Sequence, residues 1–222
     1  FIALPMLRWS ARKQLWVGLS WYLLASLALT GLMGAQAALE ASPDARAQPG
    51  AAEEWSIMEE GARQQIADAR AASQVYAEGS FAGIVQYRLN EQRGLLGQSI
   101  FVVIFETVPL LLIGMALYRF GFFSAALDRR KMRRWCWLGF LGGALASLAL
   151  GWWTLAADFP YFLTQFTFNA ASALPRLAMV VALAGLLALT APATSRGWLG
   201  RQVVAAGRMA FSNYIGTSVL MM

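Results

Sequence analysis

One carboxylate in this chain stands where water is scarce. Glu106 lies in the middle of the apolar run Gln98–Tyr118, where an ionised carboxylate costs at least ~2.5 kcal/mol. It must be protonated, paired with an arginine or turned toward a wet cavity. In any of these it is a site residue, either a base or an intramembrane proton or ion site, or a tie between helices. Pro109, one turn on, has no N–H and frees a backbone carbonyl close to Glu106, a break tolerated only where protein or water satisfies it. The two residues together point to a cavity, against the plainer reading of a kink.

The other candidates are cationic or amide-bearing. Arg176, with Gln165 and Asn169, is placed to line an entrance on the non-cytoplasmic side, and Arg88 can do the same from a polar segment; the ordinary alternative for each is an interfacial anchor. Arg208 falls in the first turns of the last apolar run, with Ser212 one turn on along the same face and Asn213 on a different side. A helix N-terminus with an arginine attracts anions, whereas an arginine near a membrane face can also simply snorkel to the headgroups.

Several chemistries are excluded. The chain has no histidine and a single cysteine, Cys136 between Trp135 and Trp137, so no Cys/His metal site, disulfide or redox pair can be built. The thiol reads as a small hydrophobe. There is neither a glycine-rich phosphate loop nor a Ser, His and Asp combination, and no cofactor is evident. The net charge of +6 does not imply nucleic acid, because the basic residues lie between apolar runs instead of on one soluble face.

The elements that must position these residues are membrane helices. Of the residues, 58% are hydrophobic and 14% charged, where a soluble domain carries about a quarter charged; lipid is the partner that resolves the difference. Gln14–Leu39 has 26 residues without a charge, ample for a core of ~30 Å. Further spans are expected at Gln98–Tyr118, Trp135–Ala157, Leu177–Ala191 and from Val203 to Met222, with Pro175 and Arg176 dividing an outer, interfacial piece from the fourth. Gly139, Gly143, Ser147 and Gly151 recur every fourth residue and predict a smooth face for close packing.

Nine of the twelve acidic residues fall between Glu40 and Gly97, which reads as a water-exposed segment. Within it Glu53–Tyr76 predicts an amphipathic helix along the membrane surface, with Trp55, Met58, Ala62, Ile66 and Ala69 on one side. Gly79 and Ser80 stop it and cap a second helix. The expected organisation is a cytoplasmic flank and first span at 1–39, an extracytoplasmic helical segment at 40–97, and spans over 98–222, in a fragment continuing beyond both ends. Arg8, Arg12 and Lys13, then Arg119 and the run Arg129–Arg134, then Arg196 and Arg201, alternate with the acidic segment and Asp158. The basic side is therefore expected to be cytoplasmic. The fold class is all-α, a polytopic transmembrane helical bundle.

Three stretches carry a family resemblance: Tyr76-Ala-Glu-Gly-Ser-Phe with Tyr87 and Arg88, Leu112-Ile-Gly-Met-Ala-Leu-Tyr-Arg-Phe-Gly, and Gly207-Arg-Met-Ala-Phe-Ser-Asn-Tyr. Together they resemble the YeiB family, defined by domain of unknown function 418; Phe211-Ser212 stands where its members usually read Leu-Thr. The resemblance implies a bacterial inner-membrane protein of roughly twice this length, partnered by N-terminal helices preceding Phe1 and distantly similar to membrane acyltransferases. Acyl-CoA would then be the donor and a glycan or lipid the acceptor, with any catalytic histidine in the preceding half. A small-solute or proton-coupled transporter and a structural or assembly protein are the alternatives.

Overall fold

A computed structural model describes residues 5–48, 50–91, 100–123 and 128–194, with scattered positions between 197 and 209. Among these residues all regular structure is helical, and four helices are long and apolar enough to cross a membrane. The expected last span, from Val203, lies outside the described residues.

Helix α1, Ala11–Ala41, starts where the Ser10 hydroxyl accepts from the Lys13 amide. Its 31 residues rise about 46 Å at ~1.5 Å each, more than a bilayer core of ~30 Å needs. A short turn, α2 (Pro43–Arg46), leads through Gly50, whose φ of +91° suits glycine, into the long surface helix α3, Ala51–Glu78. The Ser80 hydroxyl then accepts from the Gly83 amide and opens α4, Phe81–Glu91.

Helix α5, Ile100–Arg119, returns along α1. The two cross where a Cβ on Gly18 would lie 2.9 Å from both the Leu112 Cβ and the Pro109 carbonyl oxygen, and the Arg119 guanidinium donates to the Leu7 and Trp9 carbonyls at the far end. Helix α6, Arg129–Ala156, begins earlier than Trp135, because Asp128 caps the basic run by accepting from the Arg130 and Lys131 amides. Trp135 and Trp152 are each 71% exposed on its outer face. They lie about 25 Å apart at ~1.5 Å per residue, the spacing of interfacial aromatic anchors.

Helix α7, Tyr161–Ala191, follows a turn through Asp158 and Phe159, both left-handed. Here the structure corrects the expected division at Pro175. The helix runs straight through that residue, the Arg176 amide donating to the Ser172 carbonyl at 2.9 Å. Pro175 sits in the first turn of the stretch Ala173–Thr194, where a missing N–H costs little. The irregularity lies upstream, in a π-helical stretch Phe166–Ala171.

Pro109 and Pro175 share this arrangement. A proline ring collides with the carbonyl four residues back; for Pro109 that is Phe105, inside the π-helical stretch Val103–Thr107, and for Pro175 it is Ala171, at the end of the second. The widened turns take up the collision. In each helix pair a glycine then approaches the proline carbonyl: Gly18 that of Pro109, and Gly143 that of Pro175 at 2.7 Å from an added Cβ. Gly139 and Ser147 also face α7, but Gly151 faces open space, so the smooth face is shorter than its sequence file. Tyr22, Ile113 and Ala173 bring α1, α5 and α7 into one cluster, and Cys136 is buried between α6 and α7 with Met132 and Ala182.

Candidate functional site

Between the C-terminal half of α1, the N-terminal halves of α5 and α7, and α3 lies a cavity of about 860 Å³. Its walls differ in character. Leu29, Leu32, Met33, Phe101, Val102 and Phe105 are apolar, whereas the α7 side presents Tyr161, Gln165, Asn169 and Arg176.

The polar wall is a hydrogen-bonded ladder. Tyr161, Gln165 and Asn169 follow one another at four-residue steps and so share a face of α7. The Tyr161 hydroxyl donates to Gln65 Oε1 at 2.6 Å, Gln165 Nε2 donates to the Tyr161 oxygen at 3.4 Å, and Asn169 Nδ2 donates to Gln165 Oε1 at 2.6 Å. Gln65 belongs to α3, so the ladder begins in the surface helix and descends into the span. Further in, the Tyr22 hydroxyl donates to the Ala173 carbonyl at 2.9 Å.

At the inner end Arg176 Nη2 meets Glu106 Oε1 at 3.0 Å. The pair joins the two helices that carry a proline after a π-helical stretch, Glu106 lying inside the first such stretch and Arg176 directly after Pro175. Both side chains stay partly open, at 41% and 49%, and both line the cavity. Of the alternatives for Glu106, the structure shows the arginine partner and the cavity together.

Three contacts hold the site's outer rim. Glu40, at the end of α1, accepts from the Phe162 and Leu163 amides at 3.2 and 2.8 Å, satisfying first-turn donors that Pro160 cannot cap with its own side chain. Trp55 of α3 packs on Phe162 with ring centroids 5.3 Å apart, and the Arg46 guanidinium lies over the Trp55 ring, 4.9 Å from its centroid. Deeper, the buried Thr154 and Thr167 hydroxyls share a hydrogen bond of 2.9 Å and tie α6 to the second π-helical stretch.

The sequence candidates thus separate. Glu106, Arg176, Gln165 and Asn169 are brought together. Arg88 is carried by α4, with its side chain outside what the structure describes, and Arg208, Ser212 and Asn213 lie outside the described residues. Tyr22, Gln65, Tyr161 and Glu40 were not singled out in the sequence. The four-residue spacing of Tyr161 with Gln165 and Asn169 was a signal available there; nothing local marks Gln65 or Tyr22.

Residues 117–222 match the family model described as a protein of unknown function, DUF418. The match takes in Arg176 and the segment around Arg208, while Glu106, Tyr22 and Gln65 precede it. No curated protein and no solved structure matches the chain.

Proposed function

Since residues 117–222 belong to the DUF418 family, we propose that the chain is part of a multi-pass bacterial inner-membrane protein that transfers an acyl group to an extracytoplasmic acceptor held in the outer cavity. The observation that supports this is the polar ladder ending on Glu106 and Arg176 inside an apolar layer. It offers hydrogen bonds to hydroxyl groups at successive steps along one face of α7. In the reaction an acceptor hydroxyl oxygen attacks the thioester carbonyl of an acyl-CoA. The C–S bond breaks as the ester C–O bond forms, and the hydroxyl proton ends on the departing thiolate. Glu106 accepts a hydrogen bond from the acceptor hydroxyl and Arg176 fixes the carboxylate, so both are positioning residues.

The test uses the full-length protein in nanodiscs with labelled acyl-CoA and membrane glycans. Glu106→Gln should slow transfer at least about tenfold, the worth of one hydrogen bond to a charged group. No labelled glycan from the wild type would exclude the reading. Proton-coupled transport is the second reading, favoured by the π-helical breaks in both helices that carry the ion pair. Uptake driven by a pH gradient in proteoliposomes, without an acyl donor, would select it.

The orientation proposed puts the basic ends inside and α3 outside. A cysteine at Ser73, exposed on α3, should react with an impermeant maleimide in intact spheroplasts. Reaction only after lysis would invert the topology.

A further inference from the structure

Among the described residues the charges lining the cavity cancel: Glu106 and Arg176 are the only Asp, Glu, Lys or Arg side chains there, and they pair with each other. The rest of the polar lining consists of the carboxamides of Gln36, Gln65, Gln165 and Asn169, the phenols of Tyr22 and Tyr161 and the Ser26 hydroxyl, which are neutral groups that both donate and accept. A phosphate or carboxylate brought to Arg176 would have to share it with Glu106, placing two anions side by side. An uncharged polyol meets no such penalty and finds donors and acceptors at successive steps down α7. The facing wall of Leu29, Leu32, Phe101 and Phe105 has nothing to offer a headgroup and suits a hydrocarbon chain.

We infer that the cavity takes an amphiphile with an uncharged, hydroxyl-bearing headgroup and excludes anionic lipids, Glu106 acting as the selectivity element by neutralising Arg176. The inference rests on the cavity being the acceptor site, but its test is binding, not turnover. Acyl transfer can fail while the preference stands, and the preference can fail while transfer is observed.

The probes are monogalactosyl diacylglycerol, phosphatidic acid with the same chains, and free galactose, offered to the full-length protein in nanodiscs; retained lipid is counted by native mass spectrometry. The galactolipid should be retained at least about tenfold better than phosphatidic acid, and excess galactose should not displace it. In Gln165→Leu the galactolipid preference should vanish. In Glu106→Gln the freed Arg176 should reverse it, drawing in phosphatidic acid. Equal or better retention of phosphatidic acid by the wild type would overturn the inference, as would displacement by galactose or an unchanged preference in Glu106→Gln among folded protein.

Discussion

Gly143→Leu should remove most of the folded protein from the membrane, while Leu145→Phe should leave the yield at the wild-type level. A Cβ on Gly143 would come within 2.6 Å of Met179 Cγ and 2.7 Å of the Pro175 carbonyl oxygen. The methionine side chain can swing aside; the carbonyl belongs to a proline-locked turn and cannot. Relief therefore requires α6 and α7 to move apart, which also stretches the Thr154–Thr167 hydrogen bond within the second π-helical stretch. Overpacking of this kind costs about 1–3 kcal/mol in ordinary cores, and against backbone the upper end applies. Leu145, 66% exposed, looks outward, where a phenyl ring meets only lipid. The measurement is the monodisperse fraction after solubilisation at matched expression. Equal yields would show that the two helices do not meet at Gly143.

The second large effect is expected at the ion pair. Arg176→Ala strips Glu106 of its partner and should lower the thermal midpoint in nanodiscs more than Arg176→Gln combined with Glu106→Gln does. A lone carboxylate at this depth costs at least ~2.5 kcal/mol, whereas two amides can hydrogen-bond to each other. Because both side chains are open to the cavity, the coupling in a double-mutant cycle should be about 1 kcal/mol, not the larger value of a sealed pair. Strict additivity of the two single changes would mean that the charges do not interact.

The four described spans were legible because lipid imposes a length and composition that sequence cannot disguise. Glu106 was legible for the same reason, as an exception to that composition. Its partner was not, since Arg176 lies 70 residues away and no local pattern encodes that distance. Asp128 and the early start of α6 were obscured by the basic run, which reads as a loop until its cap is seen. Pro175 misled because a proline between apolar residues looks like a boundary; the π-helical stretch that accommodates it has no sequence signature of its own. Glu40 counted only as part of an acidic segment, although it caps a helix more than a hundred positions later.

Glu40, Tyr22, Gln65, Glu106 and Thr154 all find their partners on α7, and α7 is the last of the four described spans to leave the ribosome. Glu106 is therefore made 70 residues before Arg176, an interval of about 4–14 s at ~5–20 residues per second. During it α5 carries an unanswered carboxylate, and the outer rim has nothing to close on. The insertion machinery has to shelter that intermediate, and membrane proteases have those seconds in which to find it. A ribosomal pause between α6 and α7 would lengthen the exposure without altering a single residue of the finished protein, so synonymous codons in that stretch bear on yield.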